Sequence, residues 1–325
     1  MHELGSGSSL RQIALQLNRH ASTLSREVSR NQATKIGYRA TEAASAYQKR
    51  RLSSRKPRKL EANSALCDTV EYYLLNWKWS PEQISARLKK ICSDSTMHVS
   101  HETIYAHIYA YPRGELRKLL VSALRQSKSK RGPRGSADSC YSSLKISPEQ
   151  RISNRPGDIN SRQIAGHWEG DLIVGAMNKS CVGTLVERKT GYILLSKMQS
   201  KSAEHVRMGF ESNMKQLPDF LRQSMTYDRG AEMSQHPLMS KNLNLTIYFA
   251  DRSAPWQRGT SENANGLIRQ FLPKGQDLSV YDQDELSEVA RLLNGRPRKR
   301  FGFNTPQEMM EQELDGGLVR VALDS

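Results

Sequence analysis

Three carboxylates in this chain stand where a carboxylate needs a reason. Asp171 lies in "GHWEGDLIVG" (166–175), directly ahead of Leu172, Ile173 and Val174, inside a segment that otherwise has the pattern of a buried strand. Asp228 closes a second strand pattern, "SMTYDRG" (224–230). Glu262 follows in "WQRGTSENANGLIRQFLPKG" (256–275), at the first turn of a helical stretch. An unpaired carboxylate among apolar neighbours costs several kcal/mol, and ligation of a cation removes that cost. Hard oxygen donors suit magnesium, with manganese able to substitute. Two such ions about 3.5–4 Å apart activate the attacking oxygen and stabilise the leaving oxygen of an in-line phosphoryl transfer. Each residue also has a plainer reading: a strand-edge salt bridge for Asp171, turn chemistry for Asp228, and compensation of the helix dipole for Glu262. Glu169 and Asp251 are rival carboxylates beside this set. Glu169 shares a strand face with Asp171, Asp251 ends a strand, and Glu169→Gln is expected to retain substantial activity.

Positioning these groups takes a sheet. "HWEGDLIVG", "SCVGTLVERKT" (180–190) and "GYILLSKMQ" (191–199) are three β-rich runs joined by short polar turns, as in an antiparallel meander. A helical stretch (202–217), the strand ending in Asp228, a helix in "EMSQHPLMSKNL", the strand "LTIYFAD" (245–251) and a long helix from near Thr260 follow. This is the order of an α/β ribonuclease H-like (retroviral-integrase-like) fold, in which a mixed sheet is covered by helices. It would set Asp171 and Asp228 side by side on neighbouring strands. Trp256, Arg258, Asn263, Arg269 and Lys274 surround Glu262, and an aromatic among basic groups suits a DNA strand held by stacking and phosphate contacts. Core packing is the plainer reading of Trp256, and packing is the expectation for His167 and Trp168.

The charge of the chain narrows its partners. Its 325 residues carry 49 Lys and Arg against 33 Asp and Glu, a formal charge of +16, which implies a polyanion. No stretch approaches 18 apolar residues and the first residues lack a signal-peptide core, so nucleic acid inside the cell is expected, and no membrane. With 37% hydrophobic residues, several domains are expected. Cys67, Cys92, Cys140 and Cys181 form no C-x-x-C pair and read as reduced thiols. His98 and His101 near Cys92 make a zinc site conceivable, but isolated residues of these types more often have ordinary roles.

Two helix pairs precede the sheet. In "LRQIALQLNRHASTLSREVSRN" (10–31), Ile13, Ala14 and Leu17 make one stripe, Leu24 and Val28 the next, with Asn18 at the turn and Ser22 as N-cap. This is a helix-turn-helix pattern, whose second helix offers Ser22, Thr23, Ser25, Arg26 and Arg30 to phosphates and base edges. Only about ten residues precede it, fewer than the usual stabilising helix takes, which leaves an internal start open. A second pair runs through "WSPEQISARLKKI" (79–91) and "VSHETIYAHIYA" (99–110). Ser80 and Ser100 are the caps, with Ile84, Leu88, Ile91, Ile104 and Ile108 inward, and His101, Thr103 and Tyr105 are its candidate DNA contacts. The Lys-, Arg-, Gly- and Ser-rich stretch at 127–140 reads as a flexible basic connector.

With these elements placed, the sequence resembles the DDE transposases of the insertion-sequence-thirty (IS-thirty) family. The likeness rests on "GHWEGDLIVG", "TLVERKTGY", "TYDRGAEM", "YFAD", "APWQRGTSENANGLIRQFLPKG" and "LNGRPRKRFGFNTPQE" (293–308), with "STLSREVSRN" and "WSPEQISARL" nearer the front, and it covers nearly the whole chain. Two departures are visible: "DRSAPW" lacks a Pro after Asp251, and the first front helix is shortened. The resemblance implies a transposase that binds the terminal inverted repeats of its element, cleaves their ends by metal-dependent hydrolysis and joins the 3′ hydroxyls to target DNA. Asp171, Asp228 and Glu262 would hold two magnesium ions. Double-stranded DNA is the implied partner, a dimer or larger homo-oligomer the implied assembly, and the prokaryotic cytoplasm, at the nucleoid, the implied location. The expected organisation is a first helix-turn-helix module (1–35), a basic linker (36–60), a second module (61–126), a flexible linker (127–157), the catalytic domain (158–312) and a tail (313–325). Two alternatives stay open: a DNA-binding regulator with a vestigial catalytic domain, and a metal-dependent nuclease without strand transfer.

Overall fold

The computed structural model describes residues 8–31, 38–54, 58–111, 114–124, 146–252 and 254–323. The chain divides into two compact units, Met1–Asn63 and Ser64–Ser325.

In the first unit, α1 (Leu10–Gln16) and α2 (Ala21–Asn31) are joined by a tight turn in which Asn18 takes the left-handed conformation, φ 49°. Ser9 caps α1 in a capping box with Gln12, and Ile13 and Ala14 are buried beneath α2. Two details differ from the sequence reading. Leu17 follows the end of α1 at its C-cap and is 57% exposed, outside the apolar stripe. Ser22 lies inside α2 rather than capping it, because its N–H donates to His20 Nδ1 at 3.3 Å and the imidazole takes the capping role. The expected basic linker at 36–60 contains α3 (Ala40–Ser53), an Ala-rich run of high helix propensity tied back to α2 by Arg50 Nη2 donating to Asn31 Oδ1 at 2.8 Å.

The second unit opens with α4 (Ser64–Leu75), α5 (Pro81–Ile91), α6 (His101–Ala110) and α7 (Glu115–Ala123). Ser80 and Gln83 form the expected capping box on α5, and Ser100 accepts from Thr103 N–H at the start of α6. Leu66, Val70, Ile84, Leu88, Ile104 and Ile108 are fully buried, while Ile91, at the last position of α5, is half exposed.

A five-stranded sheet follows: β1 (His167–Val174), β2 (Cys181–Glu187), β3 (Ile193–Lys197), β4 (Ser224–Tyr227) and β5 (Thr246–Phe249), in the order β3-β2-β1-β4-β5. The first three strands are antiparallel neighbours, and β1, β4 and β5 run parallel. Strand alternation sends Trp168, Tyr227 and Phe249 to a core with α8 (Ala203–Met214) and α9 (His236–Leu243). Ile173, Val186 and Ile193 face the other way, against α10 (Gly259–Ile268) and α11 (Gln283–Asn294). Helices on both faces of a mixed sheet in this order make the domain ribonuclease H-like.

The division between the two units, at Asn63/Ser64, falls beside the boundary expected at 60/61. Residues 125–145, with the connector at 127–140, lie outside the described residues. Residues 146–157, within the expected linker, run along the sheet: Ile146 packs on the core, Arg151 bridges to Phe249, and buried Arg155 donates to Thr226 Oγ1 at 2.9 Å. The second helix pair is joined to the sheet domain by polar contacts. Gln83 Nε2 donates to Pro297 O at 2.8 Å, Lys299 pairs with Glu82 at 3.0 Å, and Arg87 pairs with Glu308 at the start of α12 (Pro306–Leu323). The expected tail at 313–325 begins inside α12, where Glu313 pairs with Lys189 at 2.7 Å. No helix among the described residues is long and apolar enough to cross a membrane.

Candidate active site

Because β1 and β4 are parallel neighbours, with Glu169 opposite Thr226, the residue after β4 emerges beside the middle of β1. Asp228 and Asp171 are thereby brought together. Arg258 Nη1 lies 3.4 Å from Asp171 Oδ1, and its Nη2 lies 3.2 Å from Asp228 Oδ2, so one guanidinium bridges both carboxylates. Burial pushes the Asp228 carboxyl above the usual range; Arg258 pulls it back and Asp171 adds to the rise.

The helix carrying Glu262 is fixed to the same strand at two points. Asn265 Nδ2 donates to Asp171 Oδ2 at 2.7 Å, and its Oδ1 accepts from Thr184 Oγ1 on β2 at 3.3 Å. Glu169, 1% exposed, accepts the Ser261 N–H at 2.9 Å through Oε2 and pairs with Arg188 at 3.2 Å through Oε1. Glu262 is exposed in the first turn of α10, four residues after Arg258 and three before Asn265. That spacing puts it on the helix stripe whose other members touch Asp171.

The remaining expected residues fall into two groups. Ser22, Thr23, Ser25, Arg26 and Arg30 are all exposed along α2. His101, Asn263 and Lys274 are exposed as well, and Trp256 is 76% exposed, which removes the core-packing reading of its indole. Thr103 and Tyr105 are half-buried, the hydroxyl of Thr103 meeting Ser100 Oγ at 2.8 Å and the ring of Tyr105 stacking on Tyr109. Arg258 and Arg269, expected to contact DNA, have partners within the chain. Arg258 faces the two carboxylates, and Arg269 donates to the carbonyls of Val174 (2.9 Å) and Leu272 (3.3 Å). Trp168 and His167 pack the strand as read, with Trp168 Nε1 donating to Leu221 O at 2.7 Å and His167 Nδ1 meeting Ser224 Oγ at 2.8 Å. Asp251 is tied to Arg229 at 3.1 Å and to Gln257 at 3.0 Å.

Sequence reasoning missed three residues of this neighbourhood. Asn265 and Arg188 hold Asp171 and Glu169, and nothing in their spacing marks either as a partner. Glu232, in the turn after Asp228, is a further carboxylate in the field of the site: burial pushes its carboxyl up, and Asp228 and Asp171 add to the rise. It lies within the quoted "TYDRGAEM", where a turn glutamate carries no periodic signal.

The donor set fits divalent cations. Asp171 and Asp228 supply oxygens that already converge on one positive group, and both the burial that raises the proton affinity of Asp228 and the smaller contribution of Asp171 to that rise are costs of negative charge that a bound cation would relieve.

A helix-turn-helix unit ahead of a ribonuclease H-like sheet, with two aspartates facing each other at the centre of that sheet, defines the class. The helix-turn-helix domain family matches residues 4–31. The transposase for insertion sequence element IS1086 of Cupriavidus metallidurans is 46% identical over 308 residues, covering 94% of this chain and 90% of that protein. Transposase InsI for insertion sequence element IS30A of Escherichia coli is 40% identical, covering 95% and 80%. The catalytic core domain of BIV integrase aligns with 47% of this chain and 98% of its own, at 18% identity and a TM-score of 0.37. The chain belongs to the insertion-sequence-thirty family of transposases.

Proposed function

We propose that this protein is a DDE transposase that cleaves the ends of its insertion sequence and joins the 3′ hydroxyls to target DNA, with Asp171, Asp228 and Glu262 as the metal-holding carboxylates. The observation that carries the reading is the convergence of Asp171 and Asp228, from adjacent parallel strands, on a single cationic group. When bound, two divalent ions, magnesium by the hardness of the donors, supply activation of the attacking oxygen and stabilisation of the leaving one. The protein's own part is alignment. Asn265 fixes the Asp171 carboxylate, Glu169 fixes the start of α10, and Arg258 pairs with both aspartates.

The exposed face of α2 reads the terminal repeats, and α6 adds contacts through His101, Thr103 and Tyr105. Trp256, Asn263 and Lys274 line the approach of the reacting strand. Water and then a DNA 3′ hydroxyl serve as nucleophile, without a covalent protein–DNA adduct. Handling two ends together requires at least a dimer. An oligonucleotide assay tests the reading: a transposase cuts at the element end and joins that end to a second duplex. Cutting without joining would make the protein a nuclease, and binding without cutting a regulator.

A further inference from the structure

Away from the acidic site, three side chains of unlike chemistry meet in the helical part of the second unit. Cys67 and Glu71 stand one turn apart on α4, and His107 reaches them from α6. Cys67 Sγ lies 3.5 Å from His107 Nε2 and 3.7 Å from Glu71 Oε1, and Nε2 lies 3.3 Å from Oε1. Tyr111 Oη donates to the same Oε1 at 2.6 Å. The group is largely sheltered, His107 being 11% and Glu71 23% exposed in their side chains.

The size of this triangle is informative. Zinc bonds of about 2.3 Å to sulfur and about 2.0–2.1 Å to nitrogen or oxygen, at the tetrahedral angle, give edges of about 3.6 Å to the sulfur and about 3.3 Å between nitrogen and oxygen. The observed edges of 3.5, 3.7 and 3.3 Å are those of one face of such a tetrahedron. A thiolate, an imidazole and a carboxylate also form a donor set that selects zinc over magnesium.

We propose that Cys67, Glu71 and His107 form a zinc site that pins α4 to α6, with solvent in the fourth position. On binding, the Cys67 thiol releases its proton to water, neutral His107 coordinates through Nε2, and Glu71 coordinates as its carboxylate. One dication with two anionic ligands leaves the sheltered site neutral. The Tyr111 hydroxyl orients the Glu71 carboxylate, as hydrogen-bond partners of metal ligands commonly do. This is not the pairing that sequence proximity suggested: His98 Nε2 meets the Cys92 carbonyl at 2.9 Å, and exposed His101 neighbours Glu102. The site would stiffen α6, the helix that also presents His101, Thr103 and Tyr105.

The test uses the full-length protein, stripped with a chelator and titrated with Co²⁺ as a spectroscopic stand-in for zinc. One equivalent should give a sulfur-to-cobalt charge-transfer band with tetrahedral d–d bands, both bleached by Zn²⁺. The carboxylates of the acidic site cannot produce the sulfur band. It should vanish in Cys67→Ser, weaken in His107→Gln and persist in Cys92→Ser. Zn²⁺ should raise the unfolding temperature of the stripped wild type by several degrees and leave Cys67→Ser unchanged. If Cys67→Ser does not fold, X-ray absorption of the zinc-loaded wild type should show one sulfur neighbour at about 2.3 Å. Cobalt binding without a sulfur band, a band that survives Cys67→Ser, or a zinc spectrum without sulfur would overturn the proposal.

Discussion

Glu169 accepts the backbone N–H of Ser261 at 2.9 Å, so a residue two positions before Asp171 on β1 caps the helix that carries Glu262. Its other oxygen pairs with Arg188, and both side chains are buried. Removing one partner of such a pair leaves the other charge uncompensated, at about 3–5 kcal/mol. Glu169→Gln should therefore lower stability by a few kcal/mol and reduce cleavage through a loosened α10, where the sequence alone led to the expectation that substantial activity is retained. Thermal or urea unfolding checks this. A variant as stable as the wild type would mean that Glu169 does not hold the helix.

Arg258 bridges Asp171 and Asp228, and Arg258→Gln leaves two carboxylates facing each other. Both are partly exposed, so the cost in metal-free protein should be about 1–3 kcal/mol. Millimolar Mg²⁺ should stabilise the variant more than the wild type, because the ion takes over the neutralising role. Equal stabilisation of both proteins would show that Arg258 and the ion answer to different charges.

His167 gives a pH signature. Burial, with Arg188 and Arg155 adding, holds its imidazole down to about 4 from an ordinary 6.5. The unfolded chain then takes up a proton that the folded chain refuses. Its contribution to stability is full above pH 6.5 and is lost as pH falls towards 4, by at most ~3 kcal/mol. His167→Gln should flatten the wild-type slope across that window. Parallel slopes would show that the imidazole is not held neutral.

The sheet was legible because its strands are apolar runs of strand length, and Asp171 stood out by interrupting one of them. Asp228 was legible as the polar end of another run. What the sequence could not show was pairing across the fold: Arg258 reads as a phosphate ligand until β1 and β4 are neighbours, and Glu169 reads as a rival of Asp171 until α10 lies over it. Long-range contacts around the expected linker were hidden for a similar reason. Residues 146–157 are polar, yet they bond to sheet residues distant in sequence, and Lys299, in the quoted "LNGRPRKRFGFNTPQE", pairs with Glu82 of the second helix pair. On α2 the side chains read as outward-facing are exposed, since a short amphipathic pair decides its exposed face locally, while the cap fell to His20 because an imidazole is not among the usual capping residues.

Arg26 is exposed on α2, where a guanidinium reaches phosphate or guanine. Arg26→Ala should weaken binding to element ends by about 1–3 kcal/mol with relaxed specificity at one position if it reads a base. A uniform loss on all sequences with a shallower salt slope would instead assign it to phosphate. Affinities unchanged across a salt series would remove Arg26 from the interface.

The most direct measurement compares Glu262→Gln with wild type on one oligonucleotide carrying an element end, scoring binding, cleavage and joining in Mg²⁺ and Mn²⁺, with Ca²⁺ as a binding-only control. The amide keeps the size of the side chain and loses its charge, so α10 should remain folded and binding should be unchanged. Cleavage and joining should both fall by about 10²-fold or more, as lost alignment removes stabilisation of attacking and leaving oxygens together. Normal cutting and joining by Glu262→Gln would contradict the assignment of the third carboxylate.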